Sequence, residues 1–86
     1  MGNKVVLPRI CIKEIDKMIE EGRIIFFVGD KVVDATNFIN EHPGGVKSIK
    51  NRIGKNCKID YEFHSKEGKK LWDSMVIGLK TKQYFC

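Results

Sequence analysis

Apolar residues recur early in the chain with the spacing of an amphipathic helix. Ile12, Ile15, Met18 and Ile19 lie three or four positions apart, so a helix places all four on one side. Gly22 follows them, and glycine commonly ends a helix. We therefore expect a helix here whose apolar side belongs to the core.

The next pattern is typical of a β-hairpin. Residues 24–28 are β-branched or aromatic, Gly29 and Asp30 can form a turn, and residues 31–34 can form a second strand. Residues 24–28 are also the longest apolar run, far short of the roughly 20 residues that a membrane-spanning helix needs. This segment therefore predicts core strands and no membrane insertion.

Shorter elements are expected in the rest of the chain. Thr36 is a suitable N-cap for a short helix over residues 37–41, and Pro43 must end that helix because proline disfavours the α conformation in the residue before it. The pattern also predicts a short helix over residues 46–53, a helix after His64 and Ser65, a strand over residues 76–79 and a loose tail over residues 80–86.

Length and composition indicate one folded domain. The chain has 86 residues, of which 42% are hydrophobic and 31% charged. We expect a single domain over residues 1–86 with its core at about residues 10–79. Because so small a domain buries little surface, a cofactor, metal or disulfide would add useful stability. The N-terminus lacks a signal-peptide core, so we expect a soluble, cytoplasmic protein.

The cysteines argue against a disulfide framework. Cys11, Cys57 and Cys86 are odd in number and have no close pairing, which favours a reducing compartment. No C-x-x-C occurs, so the usual zinc-ribbon signature and covalent c-type haem attachment are both excluded.

Positive charge is concentrated in the middle of the chain. The formal net charge is +5. Residues 1–41 carry six basic and seven acidic groups, whereas residues 42–70 carry eight and three. Two interpretations stay open, a solvated basic face and a docking site for an acidic partner or a nucleic acid.

The two histidines, His42 and His64, each lie at the end of a predicted short helix. Surface or capping roles are the ordinary alternative for such residues. Pro43, Gly44 and Gly45, however, form a rigid turn with few side-chain atoms, which lets a large flat ligand approach. The apolar residues around both histidines exceed what a zinc ion requires and favour a planar apolar cofactor; they are Phe38, Ile39, Ile49, Tyr61, Phe63, Leu71 and Met75.

One motif carries a specific resemblance. The string Phe38-Ile39-x-x-His42-Pro43-Gly44-Gly45, with a later His64-Ser65 pair and then Leu71 and Ile77-Gly78, resembles the cytochrome b5 family over about residues 10–79. The resemblance implies an α+β, cytochrome b5-like fold in which short helices form a haem pocket over a small mixed β-sheet. It also implies non-covalent haem b (iron protoporphyrin IX) with His42 and His64 as axial iron ligands.

The resemblance implies further haem contacts, at Phe38, Ile39, Pro43, Gly44, Ile49, Tyr61, Phe63, Ser65, Leu71 and Met75. For the apolar members plain core packing is an equal alternative. Ser65 either binds a haem propionate or caps the following helix. Trp72, which stands where the family has a small polar residue, either shields a haem edge or packs on the helix surface. We expect backbone carbonyls to accept the free ring N–H of each histidine.

Two axial imidazoles leave the iron no open position, which favours an electron carrier and not an enzyme. The resemblance implies a monomer that relays single electrons from a flavin reductase to an oxidase, desaturase or hydroxylase. Lysines stand where the family has acidic groups, so we expect an acidic or weakly charged acceptor and neither nucleic acid nor membrane insertion. The alternatives are a haem- or ligand-binding regulatory module, a nucleic-acid-binding domain, and a metal site formed by both histidines and Cys57.

Overall fold

The computed structural model describes residues 7–41 and 45–81. The predicted pattern of short helices and strands is confirmed in outline. In chain order the elements are β1 (Arg9–Ile10), α1 (Ile12–Glu20), β2 (Ile25–Val28), β3 (Lys31–Asp34), a 3-10 helix (Ile39–Glu41), α2 (Val46–Lys50), α3 (Lys58–Glu62), α4 (Lys66–Ser74) and β4 (Val76–Lys80).

The four strands form one mixed sheet in the order β1-β4-β3-β2. β4 pairs in parallel with β1 and antiparallel with β3, and β3 pairs antiparallel with β2 as the predicted hairpin. The last strand of the chain therefore lies inside the sheet. This arrangement confirms the α+β fold class.

Both faces of the sheet are buried. Successive side chains of a strand point to opposite faces, and β2 and β3 divide their apolar residues accordingly. Ile25, Phe27 and Val32 pack on one face together with Ile15 of α1. The opposite face holds a second cluster, to which α2 and α4 contribute. Its buried members are Ile24, Phe26, Val33, Ala35, Ile49 and Cys57, and Trp72 and Met75 pack against them. The sheet thus separates α1 from the other helices.

Helix α1 confirms the expectation from its apolar spacing at Ile15, Met18 and Ile19, which belong to the core or pack against it, and not at Ile12. Ile15 is only 2% exposed, whereas Ile12, at the first position of the helix, is 38% exposed. Gly22 ends the helical turn with a φ of 93°, a value that residues with a Cβ rarely adopt. Its amide donates to the carbonyl of Ile19.

The base of the β2–β3 hairpin is held by a polar network. Arg23 pairs with Asp34, and the amide and hydroxyl of Thr36 both donate to Asp34. The Thr36 hydroxyl also accepts from the amide of Ile24 at 3.0 Å. Thr36 is therefore not the expected helix N-cap, because its hydroxyl bridges the two strand ends, and the segment after it forms only a 3-10 helix at Ile39–Glu41.

The cysteines differ from the expectation. Cys11 is disulfide-bonded, so the argument from spacing was wrong at this residue. Cys57 is a free thiol and 1% exposed. The separation of cysteines along a chain does not report which of them the fold brings together. Cys86 and most of the expected tail lie outside the described residues.

Among the helices that the structure describes, none has the length and apolarity to cross a bilayer.

Gly78 is required for the packing of β4 against β1. A Cβ at this position would lie 2.6 Å from the carbonyl oxygen of Pro8 and 2.7 Å from the side chain of Ile10. We predict that Gly78→Ala lowers the free energy of unfolding by about 1–3 kcal/mol through overpacking. Urea unfolding followed by circular dichroism measures the change. Lys31→Ala, at an exposed strand position, is the control, and equal stability of Gly78→Ala and wild type would contradict the packing argument.

Asp34 makes stability depend on pH in the acid range. Burial raises its pKa, but the hydrogen bonds from Thr36 and the pairing with Arg23 outweigh this effect and hold the pKa below its ordinary 3.8. Its stabilising contribution is therefore complete above the pKa of the unfolded state and is lost as the pH falls through the lowered pKa of the folded state. We predict that Asp34→Asn costs about 1–2 kcal/mol at neutral pH, and that this difference disappears well below pH ~4.

Chemical unfolding between acidic and neutral pH tests this prediction. Asp30→Asn, which removes an exposed carboxylate from the hairpin turn, is the matched control. A difference between Asp34→Asn and wild type that stays constant down to the acid end would show that the Asp34 charge is not involved.

Candidate functional site

The imidazole of His64 is fixed at the junction of α3 and α4. Its Nδ1 lies 2.6 Å from the carbonyl oxygen of Asp60. A carbonyl only accepts hydrogen bonds, so Nδ1 carries a proton, and of the two neutral tautomers this contact selects the one with its lone pair on Nε2. The expectation that a backbone carbonyl accepts the free ring N–H is confirmed at this histidine. The result is an imidazole prepared to act as a ligand through Nε2.

The absence of a side chain at Gly68 lets the His64 ring lie against α4. A Cβ on Gly68 would be 3.2 Å from both Cβ and Cδ2 of His64, closer than nearly all ordinary contacts. Ser65 begins this helix, because its hydroxyl accepts from the Gly68 amide at 3.1 Å. Ser65 therefore caps α4, which was one of its two predicted roles. The other role, a contact between Ser65 and a haem propionate, stays a prediction.

Trp72 forms the centre of an aromatic cluster around His64. Its ring packs edge-on against the imidazole with 4.9 Å between centroids. Phe26 and Tyr61 contact Trp72 in the same manner, at 5.2 and 5.7 Å. Edge-to-face pairs at these distances are attractive beyond the area that they bury. Trp72 is therefore held by the sheet on one side and by α3 on another, and it restricts the orientation of His64.

Two adjoining clefts open beside this cluster. The first has a volume of about 200 Å³ and the second about 330 Å³, and Phe38 and Met75 line both. The first is smaller than the roughly 300–1,000 Å³ of small-molecule sites, and the second lies at the lower end of that range. The first cleft is lined by Phe26, Ala35, Phe38, Ser48, Ile49, Arg52, Asp60, His64, Trp72 and Met75. Its wall is mostly apolar, with an imidazole on one side.

Polar contacts hold α3 beside the first cleft. Arg52 pairs with Asp60 at 3.1 Å, which joins the turn after α2 to α3. The Tyr61 hydroxyl donates to Asp73 at 3.1 Å and so joins α3 to α4. Desolvation and this hydrogen bond both raise the pKa of Tyr61, which keeps the phenol protonated as a donor. These contacts position the short helix that precedes His64.

The donor set fits haem better than a bare metal ion. The unprotonated Nε2 of an oriented imidazole is a strong ligand for iron, and the apolar wall suits a porphyrin. Across residues 7–41 and 45–81 no three His, Cys, Asp or Glu side chains are grouped to bind a metal. Cys57 lies in the core, where burial and Asp60 raise the pKa of its thiol and so disfavour the thiolate form that binds metals.

A family model described as the cytochrome b5-like heme/steroid binding domain matches residues 12–79. The chain belongs to this family. The match covers more than three quarters of the sequence and includes both histidines and the cleft residues. The cytochrome b5-like fold predicted from the motif is therefore confirmed.

Cytochrome b5-like domains in other proteins show the same relationship. The structure of the cytochrome b5 of Ostreococcus tauri virus 2 superposes with a TM-score of 0.66 and 29% identity, over 84% of this chain and 83% of that one. A nitrate reductase [NADPH] of Emericella nidulans is 34% identical over 83 residues, which are 95% of this chain and 10% of that protein. An acyl-lipid (8-3)-desaturase of Rebecca salina is 32% identical over 76 residues, or 87% and 17%. The chain thus spans a small part of both enzymes.

The structure brings several of the predicted cytochrome b5 site residues together. Phe38, Ile49, His64 and Met75 line the first cleft, and Leu71 lines the second. His42, Pro43 and Gly44 lie outside the described residues, so the second axial ligand stays a prediction. Four other predicted residues line neither cleft, and their contact with haem stays a prediction: Ile39 packs against the core, Tyr61 contacts Trp72, Ser65 caps α4, and Phe63 is 86% exposed.

Sequence reasoning did not identify Asp60, Arg52 or Ser48 as residues of this cytochrome b5 site. Asp60 contacts His64 through its backbone, four residues earlier on a helix too short to be recognised from its pattern. Arg52 was counted only as surface charge. The available signal for this part of the site was Trp72, an aromatic residue that directly follows Leu71 in the helix after the predicted ligand His64.

Trp72 offers a test of the aromatic cluster. We predict that Trp72→Ala lowers the free energy of unfolding by about 1–3 kcal/mol, less than for a fully buried tryptophan because Trp72 is half-buried. It should also accelerate loss of haem, since the His64 ring loses its neighbour. Trp72→Phe keeps an aromatic ring and should retain most of both properties. Haem transfer to an apo-globin acceptor measures the loss rate, and equal rates in the alanine variant and wild type would contradict the orienting role.

Proposed function

We propose that the chain is a single-electron carrier that binds haem b through His64 and His42. The observation that carries this proposal is the His64 imidazole, whose Nδ1–H is held by the Asp60 carbonyl so that Nε2 is available at an apolar cleft. Family membership supports the same cofactor. His42 as second ligand rests on the motif Phe38-Ile39-x-x-His42-Pro43-Gly44-Gly45.

Haem b, when bound, supplies the Fe(III)/Fe(II) couple. His64 donates its Nε2 lone pair, and the Asp60 carbonyl keeps the ring in the required tautomer. Phe38, Ile49 and Met75 line the cleft and would exclude water from a bound porphyrin, so burial and the histidine ligands would set the potential. If His42 and His64 both held the iron, neither oxygen nor a substrate would find an open site on it.

The electron path that we propose runs from a flavin reductase through this chain to an oxidase, desaturase or hydroxylase. One electron enters from the donor and one leaves to the acceptor, so no proton or covalent intermediate is needed on the chain. Related domains occur in enzymes named nitrate reductase [NADPH] and acyl-lipid desaturase, which are redox enzymes. These names support a carrier role and leave open whether the domain acts alone or within a larger enzyme.

Spectroscopy of the haem-loaded protein tests the proposal. We predict a sharp Soret band, resolved α and β bands after dithionite, no change on adding carbon monoxide, and a one-electron redox titration. His64→Ala and His42→Ala should each open an axial position, so their reduced forms bind carbon monoxide and lose haem faster. Lys70→Ala, an exposed residue of α4, is the control.

Two results would overturn the proposal. Carbon monoxide binding by the wild-type reduced protein would show an open axial position and favour the regulatory or catalytic alternative. Failure to bind haem during expression and during reconstitution would leave the cleft as a site for another ligand.

A further inference from the structure

Two large apolar side chains on α3 are exposed beside the candidate haem site. Ile59 is 74% exposed and Phe63, at the end of this helix, is 86% exposed. They are four positions apart and so lie on the same side of the helix. Neither lines a described cleft. Exposed isoleucine and phenylalanine side chains that lie next to each other are typical of interaction surfaces, whose centres are apolar and enriched in aromatic residues.

Lysines surround this pair. Lys58 and Lys66, each at the first position of its helix, are both exposed. Lys69 of α4 lies over the Tyr61 ring at 5.7 Å, which brings its charge to α3. Asp60 is paired with Arg52, whereas the exposed Glu62 of α3 and Glu67 of α4 offset part of this charge. We call Ile59, Phe63, Lys58, Lys66 and Lys69 the α3–α4 face.

Helix α1, on the opposite side of the sheet, carries two lysines and three acidic residues. Residues 7–41, which include α1, carry five basic and seven acidic groups, whereas residues 45–81 carry nine and four. The excess of positive charge therefore lies in the part of the described chain that forms α2, α3 and α4, which pack on the face of the sheet opposite α1. Such an asymmetry orients an approaching charged partner.

We propose that the α3–α4 face is the docking surface for an acidic redox protein, an inference that rests on the proposed electron-carrier function. The lysine rim complements acidic groups around the partner's redox centre, and Ile59 and Phe63 form the apolar middle of the contact. Phe63 is bonded to His64 in the chain, so docking here brings the partner next to the ligand of the iron. An anionic membrane matches the same charges but has no electron to exchange, which favours the protein.

Stopped-flow reduction by an acidic [2Fe–2S] ferredoxin tests the proposal with a defined probe. Lys58→Glu combined with Lys66→Glu reverses two charges at helix starts, where glutamate is well tolerated. We expect this variant to be reduced about tenfold more slowly at low ionic strength, with the difference shrinking at high salt. Phe63→Ser should slow the reaction at high salt too, because an apolar contact is not screened.

The chain offers matched controls on the opposite side of the sheet. Lys13→Glu combined with Lys17→Glu makes the same charge change on α1, and Ile12→Ser removes a 38% exposed isoleucine. We expect the charge control to slow reduction by less than about threefold and the Ile12 control not at all. Equal slowing by the two double-lysine variants would show that net charge alone matters and would overturn the docking surface.

Two further measurements separate this inference from other outcomes. Dithionite reduction and the Soret band must be unchanged in Phe63→Ser; an altered band or faster haem loss would place Phe63 in the haem wall and overturn its docking role. Calorimetric binding of oxidised ferredoxin does not depend on the iron, so it tests the surface even if the proposed function fails. Phe63-dependent binding to phosphatidylcholine–phosphatidylserine vesicles, without Phe63-dependent ferredoxin binding, would overturn the proposal in favour of a membrane.

Discussion

The pairing of β4 between β1 and β3 is the constraint on which the candidate site depends. Helix α4 leads directly into β4, and the amide of Asp34 in β3 donates to the carbonyl of Met75 at this junction. The side chains of Trp72 and Met75 are thereby held against the buried residues of the sheet. His64 contacts Trp72, so strand pairing acts through Trp72 on the orientation of the proposed ligand, together with the Asp60 carbonyl of α3.

Much of the fold could be predicted because its periodicity is local. Helix α1 and the β2–β3 hairpin carry their own patterns, and the fold class followed from them and from the family motif. Strand β1 could not be predicted, since two residues become a strand only through β4. Helix α3 has five residues and depends on tertiary contacts such as Tyr61 with Asp73. The hydroxyl of Thr36 was predicted to cap a helix, but it bonds to the strand ends instead. A threonine hydroxyl can make either kind of hydrogen bond, so the sequence does not distinguish them.

The site was predictable in its residue types and less so in its geometry. The histidines and several apolar cleft residues could be named from spacing and from the family motif, and Phe38, Ile49 and Met75 do share a cleft with His64. The contact between Asp60 and His64 depends on where α3 ends, which no local pattern reports. Phe63 was predicted to contact haem; its side chain is 86% exposed at the end of α3, and its contact with haem stays a prediction.

The central position of β4 also determines when the domain can form during synthesis. Arg9 pairs with Leu79, near opposite ends of the described chain, and Val32 pairs with Gly78. Until β4 leaves the ribosome, β3 has a free edge and α4 has no sheet to pack against. Contacts of such long sequence separation form late because the chain must first close a large loop. The cleft beside His64 can therefore be assembled only after β4 has been synthesised.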